Sequence, residues 1–150
     1  MSLAPGAILL VEDDPNDVLL VQRAFRKANL ANHLQVVGDG EEAVAYLTGQ
    51  AAYANRKRHP QPMLMLLDLK LPRKSGLEVL AWLQQQPGLK RLPVVVLTSS
   101  RESADIDRAY DLGANSYLVK PVAFEALLDM VKTLDLYWLI LNEKPQIGNE

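Results

Sequence analysis

The residues of this chain best suited to chemistry are three acids in a row, Glu12, Asp13 and Asp14, then Asp68, Thr98 and Lys120. Each of these places directly follows a short apolar run. Clustered carboxylates repel, and their ionised forms are strained unless a cation joins them. The chain has no cysteine, and no histidine neighbours these acids. Oxygen-only surroundings favour a hard ion, Mg²⁺ or Mn²⁺, over zinc. A carboxylate held beside such an ion can attack phosphorus and form an aspartyl phosphate. The charge of that transfer lies on the equatorial phosphoryl oxygens, where a metal, an ammonium such as Lys120 and a hydroxyl such as Thr98 stabilise it.

Each residue also has a plainer reading. Acids at strand ends commonly cap the following helix, so Glu12-Asp13-Asp14 alone is explained as well by capping as by function. Thr98 alone suits an ordinary strand end, and Lys120 alone a solvated surface. Asp68 is harder to explain away. It follows the run Met63 to Leu67, which reads as a central, buried strand, and a charge there needs compensation. Their joint occurrence at the same end of successive strands carries the functional reading.

That alignment depends on the elements. Short Val/Ile/Leu-rich runs at 7–11, 34–37, 63–67, 93–97 and 116–119 alternate with stretches of helical periodicity. This pattern builds βαβ units and a parallel sheet with helices on both faces. The first helix is entered through Asp14-Pro15 and carries Val18, Leu19, Gln22, Ala24 and Phe25. The second runs from about 41 to 47, the third from about 76 to 86 before Pro87-Gly88, and the fourth from about 102 to 111 before Gly113. The last begins after Pro121, with Phe124, Leu127, Leu128, Val131 and Leu134 on one face. In such a doubly wound sheet ligands bind beyond the carboxyl ends of the strands, where the strand order reverses.

Composition excludes other classes. Among 150 residues, 16 Lys and Arg face 18 Asp and Glu, a net charge of -2, so no basic excess points to nucleic acid or an anionic membrane. The early run Ala7 to Val11 is too short to span a bilayer and lacks the flanks of a signal peptide. A cytoplasmic protein is expected.

Ile8-Leu-Leu-Val-Glu-Asp-Asp-Pro15, Leu66-Leu-Asp-Leu-Lys-Leu-Pro72 with Gly76, Val94-Val-Val-Leu-Thr98 and Tyr117-Leu-Val-Lys-Pro121 resemble, in order, the receiver domains of two-component response regulators. The resemblance covers about residues 6–134. It implies a flavodoxin-like (βα)₅ three-layer sandwich with strand order 2-1-3-4-5. Asp68 would take a phosphoryl group from a kinase phosphohistidine. Asp13 and Asp68 would ligate Mg²⁺, with Mn²⁺ able to substitute, Glu12 acting through water and the Lys70 backbone carbonyl as a further ligand. Thr98 would bond a phosphoryl oxygen, and Lys120 would pair with it beside a cis Lys120–Pro121 peptide. Tyr117 matches the switch aromatic that swings inward when the hydroxyl moves. Ser99 matches a small residue that leaves the phosphate accessible. Glu12 departs from the commoner Asp, and Lys70 stands where the family tunes phosphate lifetime.

By the same resemblance the chain is a signalling receiver that catalyses only its own phosphotransfer and autodephosphorylation. An aspartyl-nucleophile phosphatase would need an acid where Lys70 stands. The 150 residues leave no room for a DNA-binding output domain, so the output is expected to be another protein, or a phosphotransfer protein downstream. Gly38-Asp-Gly-Glu-Glu-Ala43 fits a loose dinucleotide-binding fingerprint but follows the second strand and lacks the distal acid. It reads better as a tight turn with acids at a helix N-terminus. The segment from Thr48 to Pro62 reads as a solvated loop rather than a kinase-docking element. Together with the tail, its length resembles the single-domain regulators partnered with bacterial phytochrome histidine kinases. Residues 135–150 form a C-terminal extension, helical or extended, in which Tyr137 and Trp138 lie in the apolar run Leu136 to Leu141. Such a surface predicts a homodimer through the last helix and tail.

Overall fold

The computed structural model describes residues 7–134 and Ile147. Five parallel strands, β1 (Ala7–Val11), β2 (Leu34–Val37), β3 (Pro62–Leu67), β4 (Val94–Thr98) and β5 (Ser116–Val119), form one sheet in the order β2-β1-β3-β4-β5. Five α-helices connect and follow them: α1 (Pro15–Lys27), α2 (Gly40–Thr48), α3 (Gly76–Gln84), α4 (Ser103–Asp111) and α5 (Phe124–Leu134). Successive side chains of a strand point to opposite faces, and β1 and β3 are apolar on both. Leu9, Val11, Met65, Leu67, Val94 and Val96 pack with α2, α3 and α4 residues such as Tyr46, Leu80 and Ala109. Ile8, Leu10, Leu64, Leu66, Val95 and Leu97 pack on the other side with Phe25 of α1 and Leu127 and Val131 of α5. Truncating one of these buried leucines to alanine costs about 2–5 kcal/mol.

Local chemistry fixes where the helices begin. Asp14 caps α1, accepting from the Asn16 N–H at 2.8 Å, with Pro15 in the first turn. Asp39 accepts from the Glu42 N–H at 2.8 Å, and α2 closes on Gly49 at φ 70°. Ser75 and Glu78 form a reciprocal capping box on α3. That bond with Ser75 holds the Glu78 carboxyl below its ordinary value.

The expected strands fall within one residue of those observed, with three corrections of detail. β4 starts and ends one residue later than expected, so Thr98 is its final residue rather than the one after it; it still pairs with Val119. The third helix stops at Gln84, because the Gln85 and Gln86 amides turn back to carbonyls of the last turn before the proline is reached. The segment from Thr48 to Pro62 is not simply solvated. It holds a short 3₁₀ turn (Ala51–Tyr53), and Arg56 donates to the Tyr46, Leu47 and His59 carbonyls and to Gln61 Oε1 at 2.8–3.1 Å. Tyr46, Tyr53 and His59 pack their rings tilted or edge to face beside it, with centroids 5.1–5.9 Å apart.

The glycine fingerprint is explained by packing. A Cβ on Gly40 would lie 1.9 Å from the Lys74 carbonyl oxygen, so the start of α2 touches the loop after β3 where no side chain fits. No described helix is long and apolar enough to cross a membrane. The expected tail contacts of Tyr137 and Trp138 lie outside the described residues.

Candidate functional site

β1 lies between β2 and β3, so the strand order reverses beside it and opens a crevice at the carboxyl ends of β1 and β3. Sheet hydrogen bonds carry the site residues to this rim. The Glu12 N–H donates to the Val37 carbonyl at 3.0 Å, the Asp68 N–H to Val11 at 3.1 Å and the Lys120 N–H to Thr98 at 2.8 Å. Residues from four strands are thereby held on rigid backbone rather than on mobile loops.

Glu12, Asp13, Asp68 and Lys120 gather closely there, with the Lys70 backbone beside Asp68. Glu12, Asp68 and Thr98 are buried and Asp13 is exposed. Glu12, Asp13 and Asp68 each offer a carboxylate oxygen, and these atoms lie within 4.8 Å of one another. Lys120 Nζ reaches into the same space, donating to Glu12 Oε1 at 2.5 Å and Asp68 Oδ2 at 3.3 Å. Its third acceptor is Asp17 Oδ2 at 2.8 Å. The Lys120–Pro121 peptide is cis. The Lys70 N–H donates to Asp68 Oδ1 at 3.2 Å, while its own side chain is exposed.

The electrostatics follow from burial and crowding. Burial, reinforced by the charge of Asp68, pushes the Glu12 carboxyl up to about 7 against the pull of Lys120 and the Asp14 amide. Burial alone would lower Lys120. Its hydrogen bonds to Asp17 and Glu12, with the charge of Asp68, outweigh burial and hold the ammonium well above the ordinary lysine value. The two directions oppose each other, since a protonated Glu12 would withdraw a charge that Lys120 leans on. The lysine's direction governs, because three carboxylates surround one ammonium.

Ser100 links Thr98 to Tyr117. The Ser100 N–H approaches Thr98 Oγ1 at 3.5 Å, and the Tyr117 hydroxyl donates to the Ser100 carbonyl at 3.0 Å. Ser100 Oγ in turn donates to Asp105 Oδ2 at 2.5 Å, tying the end of β4 to α4. Burial, partly offset by the bond to Ser100, raises the Tyr117 phenol above its ordinary value. Ser99 is exposed beside the buried Thr98, so the crevice is open on that side. Sequence reasoning missed Asp17 and Ser100. Asp17 lies four positions beyond Asp13 on α1, a spacing that puts a helical side chain back over the helix start; that signal was available.

The donor set is all oxygen and suits one hard divalent cation, with the carboxylates as ligands. Beside it stand an ammonium and a hydroxyl, the groups that stabilise a transferring phosphoryl.

Residues 8–132 match the family model of the response regulator receiver domain. The chain is 44% identical over 135 residues to the response regulator Rcp1 of Synechocystis sp., covering 90% of each chain. The crystal structure of the Mn²⁺-bound form of Rcp1 superposes with a TM-score of 0.80 at 42% identity, covering 94% of this chain and 99% of that one. The phosphorylated cyanobacterial phytochrome response regulator RcpA superposes with a TM-score of 0.83 at 41% identity, covering 95% of this chain and all of that one (100%).

Proposed function

This chain belongs to the response-regulator receiver family, and from that premise we propose that Asp68 is its phosphoryl acceptor. The observation that carries the reading is Asp68 itself: a buried carboxylate at the end of a central strand, reached by Lys120 and joined by Glu12 and Asp13. An Asp68 oxygen attacks the phosphorus of a kinase phosphohistidine. The O–P bond forms as the P–N bond breaks, the electron pair returns to the imidazole nitrogen, and that nitrogen takes up a proton. Lys120 pairs with a phosphoryl oxygen and the Thr98 hydroxyl donates to another. Tyr117 follows Thr98 through the Ser100 carbonyl. In unloading by hydrolysis, water attacks phosphorus, the O–P bond to Asp68 breaks, and inorganic phosphate carrying the water's protons leaves the restored carboxylate.

Asp13, Asp68 and the Lys70 backbone carbonyl would hold the divalent cation, with Glu12 alongside. Mg²⁺ is the proposed ion and Mn²⁺ its substitute. When bound, it neutralises charge on the phosphoryl oxygens.

The same reading extends to partners. The donor is a sensor histidine kinase of the bacterial phytochrome type, a choice supported by the likeness to RcpA. Residues 6–134 form the receiver, and residues 135–150, around Tyr137 and Trp138, join the last helix in a homodimer. The protein acts in the cytoplasm and passes its signal to a protein, by contact or by onward phosphotransfer. The test is labelling by acetyl phosphate in Mg²⁺. Wild type is expected to take up a base-labile label and Asp68→Asn none; equal labelling of both would remove Asp68 from this role.

A further inference from the structure

Lys120 has more acceptors than a phosphoryl partner requires. Glu12 at 2.5 Å, Asp17 at 2.8 Å and Asp68 at 3.3 Å occupy all three of its N–H bonds. Glu12 and Asp68 belong with Asp13 to the carboxylate triangle, and Asp17 does not. A divalent cation in that triangle draws on Glu12 and Asp68, which leaves Asp17 as the carboxylate committed to the lysine.

Its placement gives that commitment a direction. Asp17 is the third residue of α1, where the helix N-terminus favours negative charge. Its side chain is 30% exposed against 7% for Asp68, and Lys120 lies closer to it than to Asp68. Beyond its shortest bond, to the buried Glu12, the ammonium thus leans toward the more exposed Asp17 rather than toward Asp68. To meet a phosphoryl oxygen it must loosen a charge-assisted bond.

Resting on the reading of Asp68 as acceptor, we propose that Asp17 is a positioning residue that competes with phosphoryl oxygens for the Lys120 ammonium and so sets how tightly the phosphoryl group is held. Removing its charge should tighten that hold. The test uses beryllofluoride, which mimics a phosphoryl group on a carboxylate, titrated into the full chain at saturating Mg²⁺ and followed by ¹⁹F NMR. Asp17→Asn keeps the shape and is expected to bind about three- to tenfold more tightly than wild type, the scale of exchanging a charged for a neutral hydrogen-bond acceptor. Asp17→Glu restores the charge and is expected to bind as wild type does. Asp14→Asn removes an equal charge nearby, keeps a good helix cap and touches Asn16 rather than Lys120; it too is expected to match wild type. Unchanged or weaker binding by Asp17→Asn overturns the proposal, as does tighter binding shared equally by Asp14→Asn or by Asp17→Glu. No binding by wild type overturns the assignment of Asp68 and this proposal with it, whereas wild-type binding with an unaltered Asp17→Asn overturns the role of Asp17 alone.

Discussion

Asp68 and Glu12 share a buried space in which the charge of Asp68 opposes the ionisation of Glu12, and Lys120 donates to both. Asp68→Asn removes one of the crowded charges while Lys120 keeps Glu12 and Asp17. In the absence of divalent metal the variant is predicted to be at least as stable as wild type, by up to about 1 kcal/mol. Addition of Mg²⁺ should raise its Tm less than that of wild type. Thermal melts in EDTA and in Mg²⁺ check this, and an Asp68→Asn protein markedly less stable in EDTA would contradict the crowding. At this scale the sequence was readable where backbone alone decides position. Glu12, Asp68, Thr98 and Lys120 lie at the ends of successive parallel strands, so their convergence follows from topology. Asp17 and Ser100 enter through side-chain reach: Asp17 meets a lysine 103 positions away, and Ser100 bridges Tyr117 and Asp105. Helical spacing puts Asp17 back over the start of α1 but does not reveal the lysine it meets.

Elements hold the site by close approach as much as by hydrogen bonds. A Cβ on Gly76 would fall 2.3 Å from the Asp68 carbonyl oxygen and 2.6 Å from Leu69 Cα, backbone that has no room to give. Gly76→Ala is therefore predicted to cost about 1–3 kcal/mol and to slow labelling by acetyl phosphate, because α3 must shift away from the acceptor strand. Urea denaturation and labelling rates, measured together, check both. Arg56 works at the other end of α2, where it satisfies the Tyr46 and Leu47 carbonyls. Arg56→Ala should cost about 2 kcal/mol through those unpaired acceptors and leave labelling unaltered; a labelling defect without loss of stability would reverse this assignment. The strands were legible because their apolar runs are short and bounded. The end of the third helix was not, because its last turn closes on Gln85 and Gln86 ahead of the Pro87 signal. The order in residues 48–62 was hidden for another reason: a basic, proline-containing run looks solvated until Arg56 is seen to bond α2.

The receiver sheet, shared in fold with Rcp1 and RcpA, is followed in the sequence by the tail at residues 135–150. If that tail pairs two copies, replacing Tyr137 and Trp138 together by alanine should convert a dimer to a monomer in sedimentation velocity, with acetyl phosphate labelling retained. A dimer that survives the substitution would move the interface elsewhere. The proposed signalling function rests on one bond, the acyl phosphate at Asp68. Borohydride reduces an aspartyl phosphate to homoserine, so treating the Mg²⁺-phosphorylated protein and mapping its peptides by mass spectrometry locates the acceptor directly. Homoserine is expected at residue 68, dependent on both the phosphoryl donor and Mg²⁺; homoserine at Asp13 or any other acid, with residue 68 intact, would contradict Asp68 as the acceptor.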